Sequence, residues 1–158
     1  MKTVVCILAI ALGTVSCRTP VKESRAYRYE FHRAIASADK IVVHDGLAHM
    51  PGAEHADAQT YFVVADGTEV ASVLEHLNFL PVLQDNPCWC LGHPRIDWFK
   101  GKEHLAGVWC KHDHGLLLQD RMLATLAPDS RKWFTAWFKQ HGLTWNSKDH
   151  KFEQSAAR

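Results

Sequence analysis

The chain has 158 residues, of which 47% are hydrophobic and 22% are charged, with 18 Lys and Arg residues against 17 Asp and Glu residues. This length fits one domain, and the composition is too apolar and too aromatic for a disordered chain. The near-zero net charge lacks the basic excess that is typical of nucleic-acid binders. We therefore expect a single globular domain that has no nucleic acid among its partners.

Residues 1–16 have the layout of a secretory signal peptide. Lys2 gives a positive start, and an apolar run follows over residues 4–12. The run is too short to cross a bilayer, which needs about 20 apolar residues, and no later stretch approaches that length. The sequence therefore predicts an exported protein without a membrane-spanning helix.

The end of this apolar run carries a more specific pattern. Small residues lead directly to a cysteine in Leu12-Gly13-Thr14-Val15-Ser16-Cys17. This segment resembles the lipobox of bacterial lipoprotein precursors, and the resemblance covers only residues 1–17. It implies cleavage before Cys17 and acylation of that cysteine with a diacylglyceryl group and usually a third chain such as palmitate. Two or more chains hold a protein stably to a membrane.

The resemblance also implies a location in the cell. Residues 17–24 would form a short lipidated tether, and the protein would be anchored in the cell envelope with the membrane as its first partner. Arg18 follows Cys17 where some lipoproteins carry the Asp that retains them in the inner membrane, which favours the outer membrane. The alternative is ordinary cleavage nearby, which would leave a secreted or soluble periplasmic protein.

The sequence pattern of the first half of the mature chain predicts two helices and two strands. Apolar residues at helical spacing predict a helix over residues 25–38, and a β-rich run predicts a strand over 40–44. Pro, Gly and His residues over 47–59 indicate a surface loop, and residues 61–65 form a second predicted strand. The capping-box pattern that begins at Asp66 opens a helix to about residue 77.

The second half predicts a hairpin and a last helix. Strands over residues 95–99 and 104–112 flank a Gly101-Lys102 turn, where Gly at the first central position suits a type II′ turn. A further strand begins over residues 116–118. Pro128 opens a helix that ends at Gly142, and its Trp and Phe stripe is typical of core packing.

This order of elements predicts an α+β fold. We expect a small mixed or antiparallel sheet with a central hairpin and with helices packed on one face. The predicted organisation is a signal peptide over residues 1–16, a tether over 17–24, a single domain over 25–145 and a polar C-terminal tail over 146–158.

One group of residues carries possible chemistry. Cysteines and histidines precede the predicted hairpin and also end it; they are Cys88, Cys90, His93, Cys110, His112 and His114. Pairing across the Gly101-Lys102 turn places His93 opposite Cys110. Side chains alternate along a strand, so Cys110, His112 and His114 would share one face.

Three interpretations of this group stay open. In an oxidising compartment, Cys110 could form a disulfide with Cys88 or Cys90. Alternatively, the three cysteines and one histidine could bind Zn²⁺ or Cu(I), although C-x-C is tighter than the usual zinc spacing. Redox chemistry at the C-x-C motif is the third interpretation, without the C-x-x-C motif of thioredoxin-like proteins.

The remaining residues add no catalytic signature. The chain contains no P-loop, dinucleotide-binding, H-E-x-x-H or G-x-S-x-G motif. His44, His49 and His55 are interpreted as solvated, and no carboxylate spacing separates a catalytic pair from a polar surface. The sequence therefore predicts no catalytic residue. It favours an envelope-anchored binding or accessory module whose partner is an envelope protein or a small ligand, with a Zn- or Cu-dependent envelope enzyme as the alternative.

Overall fold

A computed structural model describes residues 21–45, 59–81, 84–85, 93–111, 115–118, 122–146 and 151–154. Over these ranges the chain forms three helices and nine strands. The helices are α1 (Val21–Ile35), α2 (Gly67–His76) and α3 (Pro128–Gln140). The strands are β1 (Lys40–His44), β2 (Thr60–Val64), β3 (Gln84–Asp85), β4 (Arg95–Lys100), β5 (Glu103–Lys111), β6 (Gly115–Leu118), β7 (Met122–Thr125), β8 (Leu143–Asn146) and β9 (Lys151–Gln154).

Seven strands form the main sheet in the order β2-β1-β4-β5-β6-β7-β3, and β8 pairs with β9 in a separate two-stranded sheet. Every strand pairing in the described ranges is antiparallel. The β4–β5 hairpin lies at the centre of the main sheet, and its turn pairs Lys100 with Glu103 as predicted. Gly101 has a φ of 57°, a conformation that glycine adopts without steric cost. The α+β prediction with a central hairpin is confirmed.

One face of the sheet packs against the helices. Alternate residues of neighbouring strands point to this face because side chains alternate along each strand. Ile41 and Val43 of β1, Trp98 of β4 and Val108 of β5 are all fully buried there. From α1, Phe31 meets Trp98 edge to face, with ring centroids 5.5 Å apart. Burial of this face is the main apolar contribution to folding.

Asp66 caps the middle helix as the capping-box pattern predicts, whereas the Glu69 side chain of that pattern bonds to α3 instead. Asp66 Oδ1 accepts a hydrogen bond from the Glu69 amide at 2.8 Å. The carboxylate of Glu69 is turned toward α3: its Oε1 accepts from Trp137 Nε1 at 2.7 Å and lies 2.6 Å from His141 Nε2. The ring of His141 also stacks on Phe62 of β2. This Glu69 contact therefore ties α2, α3 and the edge of the sheet together.

Two predicted segments, the first helix and the C-terminal tail, differ from the structure. Helix α1 begins at Val21, inside the segment expected as a tether, and Lys22 and Glu23 are good helix formers. It ends at Ile35 rather than at residue 38, because the Asp39 amide already donates to the Phe99 carbonyl of the sheet. Among the described helices, none is long and apolar enough to cross a membrane.

The expected polar tail is the second difference. Residues 143–146 and 151–154 form the β8–β9 hairpin, and Phe152 is 7% exposed. The Phe152 ring packs against Phe138 of α3, with centroids 4.9 Å apart, and against Trp145. In the sequence, the single aromatic residue Phe152 among polar neighbours did not indicate a strand. In the structure, its ring is buried against α3, so this segment is part of the domain.

Candidate functional site

The structure describes two of the predicted cysteine and histidine candidates. His93 and Cys110 lie within the described residues. The other candidates, and the predicted lipidation site, lie outside them; they are Cys17, Cys88, Cys90, His112 and His114. The disulfide, metal and redox interpretations therefore stay predictions, and only the surroundings of His93 and Cys110 bear on them.

The predicted pairing of His93 with Cys110 is shifted by one residue in the β4–β5 register, although one backbone hydrogen bond still joins the two residues. A bulge between Trp98 and Phe99 shifts the β4–β5 register. The Cys110 amide consequently donates to the Pro94 carbonyl at 2.9 Å, and the His93 amide donates to the Cys110 carbonyl at 2.8 Å. A bulge inserts one extra residue on one strand, and nothing in the turn sequence indicated its position.

Among the described residues, His93 contacts the edge strand β2. Its Nε2 is 2.6 Å from the hydroxyl of Tyr61 on β2, and the two rings meet edge to face at 5.4 Å. Burial, together with the negative charge of Asp45, raises the pKa of Tyr61 above its usual range. The Tyr61 hydroxyl therefore stays protonated at neutral pH.

Cys110 lies on the helix-facing side of the sheet. Its thiol is free and buried, and burial strongly raises its pKa. Zinc and copper bind the thiolate form, which this apolar environment disfavours. Within the ranges that the structure covers, no group of three or more His, Cys, Asp or Glu side chains could hold a metal ion. Within the described residues, the neighbours of Cys110 are apolar, and the metal interpretation depends on cysteines and histidines outside them.

A cavity of about 190 Å³ lies next to this thiol. Its floor is formed by residues of the main sheet and of the segment before α3; they are Cys110, Gly115, Leu116 and Leu126. The side chains of Cys110, Leu116 and Leu126 are apolar, and Gly115 contributes only backbone, because a Cβ there would point to the other face of the sheet against Leu123. The sheet therefore presents a concave apolar surface at this point.

Helix α3 and the β8–β9 hairpin form the walls of the cavity. The helix contributes Phe134, Thr135 and Phe138, and the hairpin contributes Thr144, Trp145 and Phe152. Thr135 and Thr144 are exposed, so the cavity reaches the protein surface beside two hydroxyl groups. The lining combines an apolar, largely aromatic body with a few polar groups, as is typical of small-molecule sites.

The opposite face of the sheet holds a buried polar cluster that the sequence did not predict. Asp97 of β4 is 3% exposed and lies 2.5 Å from His44 Nε2. Its other oxygen lies 2.8 Å from Nε2 of the half-exposed His104. Arg95 Nε donates to both oxygens at 3.1 and 3.2 Å. Three donors thus surround one buried carboxylate.

The charge state of Asp97 follows from these neighbours. Burial alone would raise its pKa, but hydrogen bonds with His44 and His104 and the positive charge of Arg95 outweigh it and lower the pKa to about 2. The carboxylate is therefore ionised at neutral pH. Gly107 on β5 leaves room for this pair, because a Cβ there would collide with the Asp97 carboxylate and the Arg95 guanidinium.

His44 was interpreted as a solvated residue, and the structure shows it buried and hydrogen-bonded. His44 and Asp97 are 53 residues apart in sequence, and only the pairing of β1 with β4 brings them together. Alternation of side chains along β1 places His44 on the face opposite Ile41 and Val43, although the apolar Val42 shares that face with His44. That alternation is a weak sequence signal, since it does not identify the partner strand.

Comparisons with protein-family models, with curated proteins and with solved structures give no match for this chain.

Proposed function

We propose that this protein is a lipid-anchored component of the cell envelope whose α+β domain binds a small apolar molecule. The observation that supports this proposal is the cavity of about 190 Å³ between the sheet, α3 and the β8–β9 hairpin. The proposed anchor is a lipid on Cys17, for which the support is the lipobox-like sequence.

The size of the cavity argues for a binding function. Domain interiors are close-packed, and voids larger than a water molecule are few. This cavity opens at the protein surface beside Thr135 and Thr144, so water can enter it, but the mainly apolar lining offers that water few hydrogen-bond partners. A ligand that fills the space recovers contacts that the bare protein lacks.

The position of the anchor fits such a ligand. Three residues separate Cys17 from Val21, the first residue of α1. An extended chain of this length spans at most about 14 Å. The domain would therefore lie at the membrane surface, where apolar molecules concentrate.

The anchor is tested by replacing Cys17 with serine. We expect the Cys17→Ser protein to leave the membrane fraction and to lose palmitate labelling. The matched control is Cys6→Ser, which changes a cysteine inside the apolar run and should leave both properties unchanged. Membrane retention and labelling of the Cys17→Ser protein would contradict the proposed anchor.

The binding function is tested on the purified full chain with toluene as the probe. We expect saturable binding by calorimetry and a rise in the melting temperature, because the probe binds the folded state. Thr135→Trp, which adds a large side chain at the cavity opening, should abolish binding, whereas Gln140→Trp on the same helix should not. Failure of toluene to bind the unmodified chain would overturn the proposal.

The state of the cysteines is tested on protein that carries no His-tag. Metal analysis and mass spectrometry under non-reducing conditions distinguish bound Zn or Cu from a disulfide between Cys110 and Cys88 or Cys90. Because the surroundings of Cys110 are apolar, we expect less than one metal ion for every ten chains. A stoichiometric metal ion would instead support the metal-dependent enzyme.

A further inference from the structure

We infer that the cavity selects a neutral molecule built on one aromatic ring that carries a hydrogen-bond donor, as in a phenol. This inference rests on the proposed binding function and specifies the ligand class. Three properties of the cavity support it: its volume, the arrangement of its aromatic side chains, and the hydrogen bonding of Thr135.

Volume limits the ligand to about one ring. An engineered apolar cavity of about 150 Å³ binds benzene. The cavity here, at about 190 Å³, has room for a single ring and one small substituent. A larger fused system or a long acyl chain would have to extend out of the cavity into water.

The walls favour an aromatic over an aliphatic ligand. Phe152 lies between Phe138 and Trp145, and both pairs of rings are tilted or edge to face, at centroid distances of 4.9 and 5.2 Å. Phe134 is likewise tilted against Phe138. A ring that enters this space can continue the same pattern, and each such aromatic pair contributes about 1 kcal/mol beyond area burial.

The uncharged lining and the Thr135 hydroxyl favour a neutral donor. Among the residues that the structure describes, none of the lining side chains is charged at neutral pH, so these residues offer a charged ligand no counterion. The Thr135 hydroxyl already donates its hydrogen to the Arg131 carbonyl at 2.9 Å. Its oxygen can still accept, so the group that it recognises is an O–H or N–H donor.

The first experiment compares phenol, cyclohexanol and benzoate on the purified full chain by calorimetry. Phenol and cyclohexanol have a similar size and the same hydroxyl, so their difference reports the preference for an aromatic ring. We expect phenol to bind about fivefold more tightly than cyclohexanol. Benzoate, which carries a charge, should bind about a hundredfold more weakly than phenol. Equal affinities for phenol and cyclohexanol, or tighter binding of benzoate, would overturn the inferred ligand class.

The second experiment replaces Thr135 by valine, which keeps the shape and removes the acceptor. We expect phenol affinity to fall about threefold and toluene affinity to stay unchanged. Equal effects on the two ligands would overturn the role of the hydroxyl. The experiments distinguish failure of the inferred ligand class from failure of the proposed binding function. If toluene still binds but phenol is not preferred, only the ligand class is refuted. If toluene does not bind, the binding function is refuted.

Discussion

At the scale of single residues, the side chain of Asp97 is held by three neighbours on the sheet face opposite the helices. Its carboxylate is buried and contacts Arg95, His44 and His104. A carboxylate that loses water is stable only when donors replace the hydration, and here side chains from three strands, β1, β4 and the turn-proximal part of β5, do so. Its low pKa is the measurable consequence of that replacement.

Acid unfolding should reveal this interaction. The pKa of Asp97 is about 2 in the folded protein against an ordinary value of 3.8. Since the folded-state pKa is the lower one, the stabilisation is complete above about pH 4 and is lost as the pH falls through about 2. The difference amounts to about 2 kcal/mol. Urea unfolding at a series of pH values measures it.

The matched variants for this experiment are Asp97→Asn and Asp39→Asn. Asp97→Asn should be less stable at neutral pH by about 3 kcal/mol, because Arg95 loses a buried counterion. Its stability should also depend less on pH between 4 and 2. Asp39 is an exposed carboxylate that accepts from the Gly101 amide, and its replacement should change the acid limb far less. An identical acid limb in Asp97→Asn and the unmodified protein would refute this assignment.

Gly107 offers a test of the space around the same cluster. Gly107→Ala places a methyl group against the Asp97 carboxylate and the Arg95 guanidinium, so we expect a loss of about 1–3 kcal/mol. Gly67→Ala, at the exposed start of α2 with nothing within 4 Å of the new Cβ, should instead stabilise by about 0.5 kcal/mol. Thermal unfolding compares the two. A Gly107→Ala protein as stable as Gly67→Ala would show that the cluster can rearrange.

At the scale of elements, helices were predicted more reliably than strand pairings. Residues 128–142 were expected to form a helix that opens at Pro128, and α3 does begin there; Gly142, with a φ of 78°, follows it. The β8–β9 hairpin was not predicted because its burial depends on contact with α3. Residues within the element itself were sufficient to predict the α3 helix, but they were not sufficient to predict the β8–β9 hairpin.

The cap of α2 was predicted from residues within the same segment, and its contribution to stability can be tested by replacing Asp66. Asp66→Ala removes the acceptor of the Glu69 amide, so we expect a loss of about 1 kcal/mol. Asp66→Ser keeps a hydroxyl acceptor at the same position and should retain most of the stability. Denaturant midpoints of the two variants provide the comparison. Equal midpoints for Asp66→Ala and the unmodified protein would mean that the cap contributes nothing.

At the scale of the whole molecule, the domain extends beyond its predicted end at residue 145. Phe152 belongs to the same buried core as Phe138 and Leu143. The hairpin also forms one wall of the cavity. The C-terminal segment thus contributes both to stability and to the proposed binding function.

Truncation tests this boundary. A chain that ends at Asn146 loses Phe152 and should be less stable by about 3 kcal/mol or more, because a buried ring leaves the core. Toluene binding should be lost with it. The control ends at Gln154 and retains all of β9. Equal melting temperatures for the two truncated chains would support the original prediction of a polar tail.

The sequence by itself determined what depends on neighbouring residues: the presence of the helices, the capping of α2, the turn at Gly101 and the α+β class. Its N-terminal pattern also predicts export and lipidation. Tertiary structure alone decided the pairing of β1 with β4, the bulge that separates His93 from the position opposite Cys110, the Asp97 cluster and the cavity. The physical reason is distance along the chain. Propensity, capping and turn geometry act over a few residues, whereas strand partners and cavities arise from segments tens of residues apart that meet only when the core is buried.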